Sequence, residues 1–279
     1  GCSSAHLKNY FFISGGEIND EGTIFCYVCK IQDKVIDEIA EMNYKRRYHT
    51  MVSLLDKYLC VVGGWGNKEV EIIDVERDSY WEVLPSMVNY RSDSTCFLSN
   101  YSWLYVFGGW EYEKKECVYE VERYLMFNNN FGVAGAPPNL NNHWEIVKIR
   151  FNKVFLQKYN MGLIPLYEEN TESSERILFV GGFDEDYNYS SSVVKVEISL
   201  KDGSLYVNKD IIGLPLKEEK NFWHENGFHI MENAAEKEAI AVNVNCANEI
   251  YVYFYQSNLF KLYTSNFEGY KTLNSEGDS

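Results

Sequence analysis

Histidine, cysteine and carboxylate clusters are what a metal site or a covalent reaction would need, and each occurs here in a form that argues against that chemistry. The five histidines stand at 6, 49, 143, 224 and 229. His224 and His229 are five apart at a loop–strand boundary, where strand alternation sends them to opposite faces. His49 sits at a strand start in an Arg-Tyr-His run, and His143 just ahead of Trp144 at a strand edge, so neither belongs to a cluster of ligands. Cys26 and Cys29 form a C-x-x-C, but inside the strand-like run 23–31, with no following helix to lower a thiol pKa; they read as two small hydrophobes. Asp184-Glu185-Asp186-Tyr187-Asn188 matches the first half of a calcium loop, yet lacks its glycine and distal glutamate and reads as a solvated acidic turn. The chain has neither a nucleophile elbow nor a phosphate-cradling glycine loop. From these residues we expect no metal, no cofactor and no catalytic group.

Charge narrows the partners. Lys and Arg number 26 against 41 Asp and Glu, a net charge of −15, which repels phosphate backbones and anionic membrane surfaces and argues against nucleic-acid binding. No apolar run approaches bilayer length and no secretory leader opens the chain, so neither a transmembrane segment nor secretion is expected. The seven cysteines are odd in number and scattered, which suggests reduced thiols and a cytoplasmic location. Gly1-Cys2-Ser3-Ser4 has the form of an acylated terminus, with Gly1 and Cys2 as the lipidation candidates, although Ala5 departs from the pattern. Membrane contact is expected only if those two residues are acylated.

The elements that would position any site are strands. Tyr 22, Phe 16 and Trp 6 beside 5 Pro suit pleated, half-buried surfaces. A Gly-Gly doublet closes a short apolar run four times, at Gly15-Gly16, Gly63-Gly64, Gly108-Gly109 and Gly181-Gly182, so the intervals are 48, 45 and 73 residues. The long interval holds two loop-like inserts, 128–142 and 167–175. Around the doublets a common order returns: an apolar strand, the strand ending in Gly-Gly, an alternating strand, and a strand opened by Trp81 or Trp144. Arg47 and Arg91 stand between repeats. A degenerate fifth copy falls at 239–243.

This order resembles the kelch repeat, from about Asn9 to Phe267 and most fully over 37–109. The resemblance implies an all-β, kelch-type β-propeller whose blades are four-stranded antiparallel sheets, five in this chain or six if it is truncated. On that reading residues 1–279 form a single domain with blades near 8–42, 48–87, 92–151, 153–213 and 226–267. The first blade lacks an obvious innermost strand, which 270–274 could supply by closing the ring. The glycine doublets, Trp81, Trp144, Arg47 and Arg91 are the structural residues of the repeat.

Kelch propellers place the loops after Gly-Gly and the loops between blades on one face. Here those loops carry Trp65, Trp110, Tyr112, Phe183 and Tyr187, with Lys45 and Arg46, and the acidic residues Asp184 and Asp186. Aromatic residues with an occasional Arg are the composition of interaction hot spots. The expected function is therefore a non-catalytic protein–protein interaction module, a scaffold, an adaptor or an accessory subunit of a larger assembly. Its acidic loops favour a basic segment on the partner protein. The alternative is a metal-dependent enzyme using the central channel, since some kelch-type propellers resemble copper oxidases or iron-dependent lyases.

Overall fold

The computed structural model describes residues 1–30, 35–77, 79–100, 102–127, 138–140, 142–150, 158–186, 190 and 192–207, and beyond these the backbone of strands only. The chain divides into two units, Gly1–Val147 and Lys148–Ser279. All regular structure is β apart from a single 3-10 turn at Tyr167–Glu169 among the described residues. Among those residues no helix is long and apolar enough to cross a membrane.

The first unit holds three four-stranded antiparallel sheets. The first sheet is built from β1 (Cys2–Leu7), β2 (Tyr10–Gly15), β5 (Cys26–Lys30) and β6 (Val35–Glu38), with a small hairpin of β3 (Glu17–Ile18) and β4 (Glu21–Gly22) after the doublet. In the second, β7 (Thr50–Leu54), β8 (Tyr58–Gly64), β9 (Asn67–Asp74) and β10 (Glu82–Leu84) follow one another in space as in sequence. The third repeats the first: β11 (Thr95–Ser99), β12 (Trp103–Phe107), a hairpin of β13 (Trp110–Glu111) and β14 (Glu116–Cys117), then β15 (Glu122–Leu125) and β16 (Glu145–Ile146). The first strands β1, β7 and β11 are neighbours, so the sheets fan out from adjacent inner edges.

The second unit has a sheet in the order β17 (Ile149–Arg150), β21 (Leu205–Val207), β20 (Ser192–Ser199), β19 (Ser174–Val180), β18 (Gly162–Pro165), with β22 (Ile212–Gly213) also on β20. Its β17–β21 pair is parallel. A five-stranded antiparallel sheet follows, β23 (Phe228–Asn233), β24 (Glu238–Val244), β25 (Glu249–Phe254), β26 (Leu259–Thr264) and β27 (Tyr270–Leu273). The expected insert at 128–142 lies largely outside the described residues. Part of 167–175 is the 3-10 turn and the start of β19.

The innermost strand of the first sheet corrects the sequence reading. It comes from Cys2–Leu7, joined to β2 by the tight turn at Lys8-Asn9, while β27 pairs with β26 at the end of its own sheet. Ala5 and Leu7 face the core and His6 faces water. Two apolar residues in a short polar hexapeptide are too weak an alternation to announce a strand.

The central strands read as continuous apolar runs because both their faces are covered. Along β8, Leu59 and Val61 pack with Leu7, Phe12, Met42 and Trp81 toward the first sheet. Cys60 and Val62 pack with Leu104, Val106, Tyr124 and Trp144 toward the third. Period-2 alternation thus sends successive residues into two different apolar layers.

Candidate interaction surface

At the first two glycine doublets a strand leaves its sheet and the linker to the next sheet is fastened there. All four doublets take left-handed φ at both residues, 59°/113°, 62°/121°, 57°/103° and 68°/90°. At Gly63 a Cβ would lie 2.5 Å from the Arg91 carbonyl oxygen, so glycine is required by space as well as by φ. The Gly16 N–H donates to the Arg46 carbonyl at 3.0 Å, and the Gly64 N–H to the Arg91 carbonyl at 2.9 Å.

The same two arginines turn their side chains into the following sheet. Arg46 Nη1 donates to the Gly63 carbonyl at 2.6 Å, and its Nη2 meets Glu71 Oε1 at 2.8 Å. Arg91 Nη1 donates to the Gly108 carbonyl at 2.8 Å, and its Nη2 meets Glu122 Oε1 at 2.6 Å. All four side chains of these ion pairs are fully buried. Glu71 also accepts from the N–H groups of Asn43 and Tyr44, and Glu122 from those of Val88 and Asn89. Buried charges so placed are paired and hydrogen-bonded, with Arg91 Nε alone left without a partner among the nitrogens of these two guanidinium groups, and pairing is the condition under which burial is tolerated. Burial pulls the Arg91 pKa below its ordinary value, and Glu122 opposes that.

A second fastening repeats at the outer strands. The Trp81 indole N–H donates to the Ala40 carbonyl at 2.8 Å and that of Trp144 to the Pro85 carbonyl at 2.7 Å. Both carbonyls stand two residues before a buried methionine, Met42 or Met87, in the linker ahead of each sheet. The tryptophans, like the doublets, are structural.

Two sequence expectations exchange places. Arg46, expected among partner-binding residues, is sealed inside the second sheet and cannot reach a partner. Arg47, expected as the structural counterpart of Arg91, lies at the surface instead. Its guanidinium carbon sits 4.7 Å from the Trp65 ring centroid and its Nη1 is 2.9 Å from Glu17 Oε1. The Trp65 ring is 3.8 Å from that of Tyr112, tilted by 37°, and 5.9 Å from that of Tyr48. Tyr112 is 47% exposed and Tyr48 36%. Trp65, Tyr112, Tyr48 and Arg47 thus form one surface cluster, drawn from a linker and from two post-doublet turns. Lys45 is exposed beside it and pairs with Glu21 on the β3–β4 hairpin at 2.6 Å.

Trp110 and Phe183, expected on the binding surface, are buried and anchor backbone instead. Trp110 exchanges N–H···O bonds with Ser92 at 2.8 and 3.0 Å, and Phe183 does so with Tyr159 at 3.0 and 3.1 Å. An aromatic directly after the doublet is therefore packing when its backbone bridges to the linker on both sides. Asp184 is half-buried and Asp186 exposed, and the Asp186 N–H donates to Asp184 Oδ1 at 3.0 Å. Tyr187 lies outside the described residues. Gly1 accepts from the Tyr48 N–H at 2.7 Å, and Cys2, exposed, opens β1 opposite Gly15.

Among the described residues no three His, Cys, Asp or Glu side chains converge as a metal would require. His49 is buried, with Nε2 2.8 Å from Ser14 Oγ, and burial together with the Arg46 charge pushes its pKa down to about 3. Such an imidazole is neutral, and the nearby guanidinium opposes any further cation. His224 and the side chain of His229 lie outside the described residues. Cys26 is buried, with burial driving its pKa to about 12, and Cys29, an odd number of strand positions away, faces the other way. Compared with known proteins, the chain matches no family model and no curated sequence.

Proposed function

We propose that this chain is a kelch-type β-propeller acting as a non-catalytic protein–protein interaction module. Support for the blade reading comes from the doublet in four sheets and, in the second and third of them, from an arginine on its carbonyl and a tryptophan on the preceding linker. On this reading the sheets are five blades of one ring, and the partner-binding residues are Trp65, Tyr112, Tyr48 and Arg47, with Lys45 at the rim. The single observation that carries it is the Trp65–Tyr112 ring contact, with Trp65 half-buried and Tyr112 exposed beside it. Aromatic side chains with an arginine alongside lose little conformational entropy on binding and dominate interface energetics. The acidic turn 184–186 favours a basic segment in the same partner, speeding encounter more than tightening the complex. The protein works in the cytoplasm as scaffold, adaptor or accessory subunit, touching membranes only through acylation at Gly1 and Cys2.

The test is capture from an extract of the native cell, read by mass spectrometry, with the wild type against Trp65→Ala and Tyr112→Ala. Both variants should lose the same partner while keeping the wild-type circular dichroism. An unchanged set of captured proteins overturns the assignment of this surface.

A further inference from the structure

Asp93 breaks the rule that the buried charges described above obey. Arg46 has Glu71 and Arg91 has Glu122, whereas Asp93 is half-buried and meets no side-chain cation among the described residues. The Ser92 hydroxyl donates to it, and the one positive group acting on it is the backbone amine of Gly1. Burial lifts its pKa to about 6, so at neutral pH the carboxylate is ionised in surroundings that oppose the charge.

Its place is fixed by the backbone. Tyr48 and Asp93 each stand two residues ahead of the first strand of a sheet, β7 or β11, with left-handed φ of 54° and 51°. The Asp93 N–H donates to the Tyr48 carbonyl at 2.8 Å. Aspartate and asparagine both tolerate this conformation and a tyrosine fills the equivalent place, so the backbone alone does not call for a carboxylate. The Tyr48 N–H donates to the Gly1 carbonyl, and a Cβ on Gly1 would lie 3.4 Å from the Tyr48 ring. The amine that acts on Asp93 therefore borders the ring that packs beside Trp65, and Asp93 adjoins the aromatic cluster.

Arg47 shows how this cluster holds a guanidinium, with the Trp65 ring 4.7 Å from its carbon and Glu17 Oε1 2.9 Å from its Nη1. Tyr48 and Asp93 supply the same two elements, a ring and a carboxylate, without an arginine of the chain on the carboxylate. We propose that Asp93 is the acidic subsite of this surface and that it receives an arginine side chain from a basic segment of the protein partner. The inference rests on the interaction surface proposed above and names the group that surface reads. A guanidinium suits it better than an ammonium, because its planar fork can pair with a carboxylate and lie along a ring at once. The net charge of −15 draws such a segment in. Binding then satisfies a carboxylate that folding leaves without a partner, which is why an unfavourable charge is retained there.

The experiment titrates the full chain with hexa-arginine and with hexalysine by calorimetry at pH 7 and pH 5. Asp93→Asn keeps a residue that tolerates the left-handed backbone and removes only the charge. At pH 7 it should weaken hexa-arginine binding roughly 10-fold. At pH 5 the difference should shrink to about twofold, since most of Asp93 is then protonated in the wild type as well. The variant should also have the higher urea midpoint at pH 7, which shows that it folds and that the charge opposes folding. Hexalysine bound as tightly as hexa-arginine, or an Asp93→Asn affinity equal to that of the wild type at pH 7, overturns the proposal. If Asp93→Asn changes nothing while Trp65→Ala still loses the native partner, the surface stands and the arginine subsite alone falls.

Discussion

The guanidinium of Arg91 meets the carboxylate of Glu122 at 2.6 Å with neither side chain exposed, and one sheet earlier Arg46 meets Glu71 at 2.8 Å in matching surroundings. Removing one member leaves a buried charge without its partner. Arg91→Met or Glu122→Leu should each destabilise the protein by about 3–5 kcal/mol. The double variant Arg91→Met/Glu122→Leu should lose clearly less than the two singles together, though not nothing, because the Gly108 carbonyl and the Val88 and Asn89 N–H groups lose their partners too. Urea denaturation of the four proteins measures this, and strictly additive losses would contradict the pairing.

Gly63 and Gly66 share a left-handed φ, 62° and 68°, but differ in space: a Cβ at Gly63 meets the Arg91 carbonyl oxygen, and one at Gly66 meets nothing within 4 Å. Gly66→Ala should therefore lose about 1–2 kcal/mol from backbone strain alone. Gly63→Ala should lose considerably more, since linker and strand must also part. Equal melting temperatures for the two variants would show that the close approach carries no weight.

Trp81 and Trp144 make the same hydrogen bond to the same linker position. Replacing either by Phe keeps most of the apolar contact and strands a carbonyl, at about 1–3 kcal/mol. The two losses should agree closely in chemical denaturation. A large loss at one site and none at the other would break the equivalence of these sheets.

Stability should fall below neutral pH through His49. Its folded pKa of about 3 lies under the unfolded value near 6.5, so the unfolded chain takes up a proton that the folded one refuses. The stabilisation is complete above about pH 6.5 and is lost as pH falls toward 3. Asp93 acts in the opposite sense: burial raises its folded pKa to about 6, so its contribution is greatest in acid and fades as pH climbs through 4 to 6. Between pH 7 and 5 the urea midpoint should rise in His49→Gln, where only the Asp93 gain remains, and fall more steeply than in the wild type in Asp93→Asn. A wild type equally stable throughout, with neither variant altering the profile, would exclude both groups.

The doublets, Trp81 and Trp144 were legible because a glycine pair or a tryptophan, each scarce in the chain, recurs at the end of an apolar run or the start of a strand. The two adjacent arginines were harder to separate, being alike in charge and differing only in where the linker turns. A spacing does distinguish them: Arg46 precedes Gly63, and Arg91 precedes Gly108, by the same 17 residues. The glutamates offer no such constant, because the β13–β14 hairpin lengthens the third sheet between doublet and Glu122. The surface stack was half visible. Trp65 and Trp110 follow their doublets identically in sequence, but Trp65 is half-buried and gives one backbone bond to Arg47, whereas Trp110 is buried and exchanges two with Ser92.

Arg46 holds Gly16 with its carbonyl and Gly63 with its guanidinium, and so belongs to two sheets at once. The transferable module in this protein is consequently not a sheet but the stretch from one linker arginine to the next. A designer who grafts or deletes at these glycine doublets would part each arginine side chain from its glutamate. Cuts made just ahead of the arginines would keep the side-chain clasp whole and give up only the arginine carbonyl's bond to the preceding doublet.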